Sequence, residues 1–371
     1  MPVSSYRHES DGSAAFTSLT TTMRAAVCHL PEALVGCSAR AHLDRITDHL
    51  PAALTRRTYL ECRVADGASR VDFVLCVDGS SRQSLIDASS TWLPSRLRAH
   101  PLWLGLGRVS SEWADSGSSA AAHVHDLWLE FDTEGRTHGC DALVPNVFVG
   151  LTRDARVPVV QLWAAARRCL EALGQPLDRG IAGAAREIAL RVPRGARLGY
   201  VGLMYPRGQK AIRLCLTPMR GATLCRFLEA IGWRVSVQQL EALLQAIPDG
   251  RGGTAWQSTT LLHLDVDYGV QPRLGLEIAL QTHPQVIDAL AERGLLDALC
   301  DRGLCAASKR DALLRWPGHA VEHFAHQCWP SLAIRWVGHL KILWDPVHGP
   351  EVKAYLAYFH GLFKRPRGGR S

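Results

Sequence analysis

The chain has 371 residues, 47% hydrophobic and 21% charged, an ordinary globular balance that excludes disordered, collagenous and fibrous classes. Lys and Arg exceed Asp and Glu by 42 to 35, but Lys364, Arg365, Arg367 and Arg370 sit in a short tail, so the body is only mildly basic and lacks the electrostatic footprint of a nucleic-acid binder. No run reaches the roughly 18 apolar residues that begin to suggest a membrane span, and the N-terminus lacks a secretion signal's apolar core, which together predict a cytoplasmic protein.

Residues 1–27 are rich in Ser, Thr and Ala without sustained periodicity and predict a disordered or loosely attached arm. From there one unit recurs five times: two alternating runs across a turn, followed by a helix-period stretch. The first pair covers 59–64 and 71–77 across Asp66-Gly67, a strong hairpin signal. Gly105-Leu106-Gly107 comes next, too short for a dinucleotide loop and with no strand before it. The second pair is 127–132 and 146–151, and after it Val159, Leu162, Trp163, Ala166, Cys169, Leu170 and Leu173 recur at three and four on one helix face. The third pair, 199–204 and 211–216, turns at Pro206-Arg207-Gly208 and precedes helical patterns over 222–231 and 237–247. The fourth is 261–267 and 273–280 across Gly269; helices are predicted at about 284–292, with Pro284 in the first turn, and at 308–315 and 325–336. The fifth is 339–344 and 352–358, before a basic tail at 364–371.

Alternation within the strands carries the functional information, because a period of two sends successive side chains to opposite faces. Leu127, Leu129 and Phe131 share one face; Trp128, Glu130 and Asp132 share the other. Likewise His263, Asp265 and Asp267 oppose Leu262, Leu264 and Val266. Arg273 and Glu277 oppose Leu274, Leu276 and Ile278, and His339 and Lys341 oppose Leu340 and Ile342. Lys353 and Tyr355 oppose Val352, Ala354 and Leu356; Tyr59, Glu61 and Arg63 oppose Leu60, Cys62 and Val64; Arg213 opposes Ile212 and Leu214. An open sheet with its charged face in water satisfies this pattern. So does a closed barrel with helices outside and charges inside, and ten strands favour closure. The fold class is α+β on either reading.

The eleven cysteines form no Cys-x-x-Cys pair, and Cys62, Cys76, Cys215 and Cys225 fall in apolar-patterned segments as small hydrophobes. The sixteen histidines show no His-Glu-x-x-His spacing, and no phosphate loop or Gly-x-Ser-x-Gly elbow occurs, so metalloprotease, P-loop and hydrolase readings lose their usual support. Most of the eleven tryptophans, including Trp163, Trp316, Trp336 and Trp344, are predicted to fill the core between helices and sheet; Trp128 is the exception by its pattern.

A ring of five strand-pair-and-helix repeats resembles the prenyltransferase barrel, the αββα family that includes aromatic prenyltransferases and those of cyanobactin peptide pathways. The resemblance spans about residues 55–360, and Tyr59-Leu60-Glu61-Cys62 looks like that family's opening strand. It implies a ten-stranded barrel in one domain over 28–363. It also implies a carboxylate at Glu61 that orients the acceptor; Glu130, placed on the lumen face by alternation, is a second catalytic candidate. Arg213, Arg273, Lys341 and Lys353 would hold a prenyl diphosphate and Tyr355 would screen the cation, with Trp128 a further aromatic candidate by its strand pattern. The pattern departs at Asp72 and in the added acids Asp132, Asp265 and Asp267, which repel a diphosphate. Either magnesium bridges those three, as paired carboxylates suit a hard cation, or the cavity binds no diphosphate. Residues 128–132, 145–150 and 309–318 also resemble an uncharacterised bacterial family.

Two functions follow as expectations. One is an isoprenoid-processing enzyme of natural-product biosynthesis, transferring a prenyl group to an acceptor or cyclising a prenyl chain, since an allylic cation needs a dry cavity, aromatic faces and an anchor for its leaving group. The other is a non-catalytic accessory protein that binds the precursor peptide of a ribosomal-peptide pathway through charge-assisted hydrogen bonds.

Overall fold

A computed structural model describes residues 17–362 except 68–69, 88–91, 134–141, 175–176, 209, 234, 236, 250–252, 281, 284–285, 288 and 325–329. The first four of the five expected pairs form as β1 (Arg57–Arg63) with β2 (Val71–Asp78), β3 (Val124–Asp132) with β4 (Asn146–Leu151), β5 (Arg197–Leu203) with β6 (Ile212–Thr217), and β7 (Thr259–Val266) with β8 (Val270–Ala279). Two-residue strands β9 (Thr282–His283) and β10 (Val286–Ile287) pair with each other, and β11 (Gly318–Glu322) precedes the long final pair β12 (Ser331–Asp345) and β13 (Gly349–Leu362).

The strands run antiparallel in chain order from β1 to β8, continue to β12 and β13, and return to β1. Lys341 opposite Glu277 and Tyr355 opposite Glu61 are among the pairs that close the ring. Ten strands therefore form a closed barrel, and β11 adds to the part of β12 that runs past β8. Register makes the face assignment all or none. Leu127, Leu129, Phe131, Leu264 and Val266 lie in the continuous core under the helices, where Phe73 stacks on Phe131 at 6.1 Å. Each such side chain contributes roughly 1.5–3 kcal/mol by leaving water.

Helices over Pro101–Ala114, Val159–Ala172, Arg179–Leu190, Gly221–Ala230, Val237–Ala246, Ala289–Asp301 and Ala307–Arg315 lie outside. Gly105 has a packing role rather than a ligand role: a Cβ there would stand 2.5 Å from the Leu173 backbone, so the glycine lets two helices touch. Trp103, Trp163, Trp316 and Trp344 are buried in the same core, whereas Trp336, also expected there, is only half-buried and lies against Tyr59 instead.

Three expectations are corrected. Leu19–Val27, within the stretch expected to be loose, is a helix that buries Leu19, Met23 and Ala26 in the core, so the folded unit starts before residue 28. Its Ser/Thr-rich sequence hides a narrow apolar stripe. The helix expected over 284–292 begins only at Ala289, after β10; Pro284 lies outside the described residues. Where a helix was expected over 325–336, β12 already runs from Ser331, with 325–329 outside the described residues. A bulge between Val337 and His339 breaks its two-residue period, so that Val337 faces outward with Leu356 and His339 inward with Tyr355. The basic tail at 364–371 also lies outside the described residues.

Candidate functional site

At the end of the barrel where the strand pairs turn, the lumen opens as a cavity of about 500 Å³, within the range of small-molecule sites. Its walls carry eight basic side chains, Arg63, Arg70, Arg207, Lys210, Arg213, Arg273, Lys341 and Lys353, against four carboxylates, Glu61, Glu130, Asp265 and Asp267. Alternation on β1, β3, β6, β7, β12 and β13 aims most of them inward, and the turn between β5 and β6 supplies Arg207 and Lys210.

Glu61 is 3% exposed and accepts hydrogen bonds from Lys353 Nζ and the Tyr355 hydroxyl. Burial alone would raise its pKa, but Lys353, Lys341 and these bonds hold the carboxyl well below the usual range, so it is ionised. Burial and the neighbouring Glu61 charge raise Tyr355, which stays a neutral donor. Arg213 grips Asp265 through two bonds of 2.7 and 2.8 Å, and Asp265 is depressed despite burial because of that guanidinium.

A second group meets where β2, β3 and β4 begin or end at this mouth. Oxygens of Asp72, Glu130 and Asp132 lie within 4.8 Å of one another. Arg207 binds Asp132 at 2.9 and 2.5 Å and Glu130 at 2.5 Å. Asn146 Nδ2 is 3.4 Å from both Glu130 and Asp132, whereas Asp72 Oδ2 and Asn146 Oδ1 are buried without hydrogen-bond partners among the described residues. Burial, then the charges of Glu61 and Glu130, push Asp72 up to about 7.

Lys341 is 5% exposed and, among the described residues, has no carboxylate within 4 Å; its Nζ lies 3.5 Å from His263 Nδ1. A Cβ at Gly275 would stand 2.7 Å from Lys341 Cε, so that glycine is the space the lysine passes through. Burial and the Arg213 charge lower the Lys341 pKa. His263 Nε2 lies 2.7 Å from Glu277, and Nδ1 lies 3.2 Å from Cys215 Sγ. Burial and Lys341 lower His263 to about 4, whereas Glu277 is lowered to about 2 because His339 and His263 outweigh its burial.

Beneath the cavity an aromatic layer crosses the lumen. Tyr59 lies 5.4 Å from Trp128 and 6.4 Å from Trp336, Trp128 is 6.4 Å from Tyr200, and His339 stacks on Tyr355 at 4.0 Å. Arg57 sits 5.2 Å over Trp128. On the far side of this layer a smaller cavity of about 260 Å³ opens at the other mouth, lined by Asp126, Arg153, Arg197, Tyr200 and Glu277 among others.

Glu61, Glu130, Arg213, Arg273, Lys341 and Lys353 thus line one cavity, while Trp128 and Tyr355 lie in or against the layer beneath it and are not among its walls. Arg273 stands at the rim, 3.6 Å from Glu351, which also pairs with Arg63. The expected metal group Asp132, Asp265 and Asp267 does not assemble. Asp265 is committed to Arg213, and Asp267 sits in the turn after β7, bound by Gln271 at 2.5 Å and the Gly269 amide. Asp132 joins Asp72 and Glu130 instead, a donor set of the right type for a hard cation, but the Arg207 guanidinium occupies the position beside two of its three carboxylates. Sequence reasoning missed Arg207 because Pro206-Arg207-Gly208 reads as turn chemistry, and missed Arg70 and Lys210 because they lie off the strands.

No family model and no curated protein matches the chain. Solved structures do share its fold. The prenyltransferase PriB aligns with a TM-score of 0.51 at 13% identity, covering 92% of this chain and 95% of that one. A 6-dimethylallyl tryptophan synthase aligns at 0.52 and 14%, covering 91% and 93%. AnaPT from Neosartorya fischeri aligns at 0.52 and 11%, covering 93% and 91%. The closed barrel is therefore that of the prenyltransferases, reached at a sequence distance where only the fold is shared. Among the described residues no helix is long and apolar enough to cross a membrane.

Proposed function

We propose that this protein processes isoprenoids, with the basic mouth of the barrel holding the diphosphate of a prenyl donor while the prenyl group passes to an acceptor or closes on itself in natural-product biosynthesis. The observation that carries the reading is Lys341, a buried cation without an acidic partner among the described residues, aimed into a cavity where bases outnumber acids two to one. A buried charge left unpaired is costly, and a bound anion removes that cost. In this reading Arg213, Arg273, Lys341 and Lys353 take the leaving diphosphate. The ionised Glu61, fixed by Lys353 and Tyr355, orients the acceptor, and Trp128 and Tyr355 bound the reacting space from below. Glu130 and Asp132 hold Arg207 at the rim, and Arg207 reaches the anion from there. A magnesium ion finds its oxygens at Asp72, Glu130 and Asp132 only by displacing Arg207. The whole unit acts as one domain.

Incubation with dimethylallyl, geranyl and farnesyl diphosphates and a panel of aromatic and peptide acceptors tests this. Diphosphate release is expected; none under any condition removes the enzymatic reading. A second reading, a peptide-binding accessory protein, is favoured by one observation: among the described residues no Phe, Trp or Tyr is a wall of the cavity, and its walls mix acids and bases as an extended polar chain would require. Copurifying mass separates the two, isoprenoid or diphosphate against peptide.

A further inference from the structure

His263 and Glu277 join the two cavities of the lumen. His263 is a wall of the larger cavity, Glu277 is a wall of the smaller one, and the two side chains meet at 2.7 Å between them. Adjacent antiparallel strands fix this: His263 stands opposite Gly275 and Leu261 opposite Glu277, so the diagonal neighbours His263 and Glu277 face inward together. Because Glu277 is ionised and His263 neutral, the ring proton sits on Nε2 and points at the carboxylate. The Nδ1 lone pair then lies beside Lys341 Nζ and Cys215 Sγ, and His263 and Lys341 are both walls of the larger cavity. The 3.5 Å to Lys341 is beyond normal hydrogen-bond length, and Cys215, a thiol pushed up to about 12 by burial, is a weak neutral donor. This is the base-and-orienter arrangement of acid–base catalysis.

We propose that His263, oriented by Glu277, accepts the proton an acceptor loses on prenylation, and that the pair passes it through the barrel to the smaller cavity at the opposite mouth. This rests on the prenyl-transfer reading. As the carbon–acceptor bond forms, the carbon–oxygen bond to diphosphate breaks and the diphosphate leaves with the electron pair. The acceptor's proton goes to His263 Nδ1, the Nε2 proton to Glu277, and Glu277 releases a proton to water in the smaller cavity. Loss of the Nδ1 proton to water in the larger cavity after the product leaves, with return of a proton to Nε2 through Glu277, resets the pair. Donor binding arms the base. The groups around the ring are Arg213 and Cys215 on β6, Asp265 on β7, Glu277 on β8, and His339 and Lys341 on β12, and of these Lys341 and Arg213 oppose its protonation. A diphosphate seated on those two cations cancels their opposition.

Histidine NMR with inorganic diphosphate as the probe tests the coupling without turnover, the His263 signal being identified by its loss in His263→Asn. His263 is expected as the Nε2–H tautomer at neutral pH, with its pKa raised by diphosphate in the wild type and little changed in Lys341→Met. In turnover assays His263→Asn is expected to lower kcat roughly 10²–10⁴-fold with little effect on donor affinity. Imidazole should partly restore His263→Gly, and Glu277→Asp should retain more activity and more of the wild-type pH profile than Glu277→Gln. Diphosphate that binds by calorimetry but leaves His263 unmoved, or wild-type kcat in His263→Asn, overturns the relay and leaves prenyl transfer standing. Absence of both diphosphate binding and release overturns prenyl transfer and the relay with it.

Discussion

Replacing Lys341 with methionine should raise stability and weaken donor binding at once. The lysine is 5% exposed, its one side-chain hydrogen-bond contact among the described residues is His263 Nδ1 at 3.5 Å, and Arg213 and Lys353 repel its charge while Glu61 and Glu277 attract it from beyond ion-pair distance. An apolar isostere of a poorly compensated buried charge typically stabilises by about 1–4 kcal/mol. At somewhat less than the roughly 2–4 °C per kcal/mol of smaller chains, Tm rises by a few degrees. The sign with pH is also set. Burial depresses the folded-state pKa of Lys341, so its unfavourable contribution fades as pH rises through that value, and the Tm gain of Lys341→Met shrinks from neutral toward alkaline pH. In the bound state the same substitution removes a charge-assisted contact worth roughly 1.5–3 kcal/mol, which weakens binding of geranyl diphosphate roughly 10- to 150-fold. Thermal unfolding across pH and titration calorimetry measure both. A fall in Tm with unchanged affinity would refute the reasoning, because it would make Lys341 a structural counter-ion of Glu61 and Glu277.

Glu61→Gln should lower kcat while leaving donor affinity nearly intact, since the lost charge is felt at the acceptor; equal losses in both would assign Glu61 to holding Lys353 in place. Asp72 has a folded pKa raised to about 7, so its unfolded state binds fewer protons and stability falls as pH rises through that window. Asp72→Asn should therefore raise Tm more at alkaline than at mildly acidic pH, and a gain independent of pH would contradict the assignment. Magnesium should shift the Tm of Arg207→Ala more than that of the wild type, whose Glu130 and Asp132 already hold a guanidinium; equal shifts would place the ion elsewhere. Gly105→Ala should cost about 1–3 kcal/mol in denaturant unfolding despite alanine's higher helix propensity, because its Cβ meets backbone atoms of Ala172 and Leu173 that cannot rotate away; a neutral result would show that the two helices separate freely.

The two-residue alternation of ten short segments determined the barrel strands and, within them, which side chains face the lumen. That information is local: Leu129 and Glu130 are assigned to opposite faces by backbone geometry whatever they pack against. The same rule placed Glu61, Arg213, Asp265, Lys341 and Lys353 on the inner face. The reading failed before the bulge between Val337 and His339, where a helix was expected over 325–336 and β12 already runs from Ser331, and at Leu19–Val27, where the apolar stripe is narrow. Pairings across the lumen were decided only by closure. Whether Asp265 would join Asp132 around a cation or bind Arg213 depends on which strands neighbour each other: Arg213 and Asp265 stand directly opposite on β6 and β7, whereas Asp72 and Asp132 stand opposite on β2 and β3. Arg207 enters from a turn whose sequence speaks only of backbone conformation, and the link from His263 to Glu277 needs the register of β7 against β8. Alternation is a property of one strand, but an ion pair is a property of two, and the sequence of either strand alone does not contain the register that joins them.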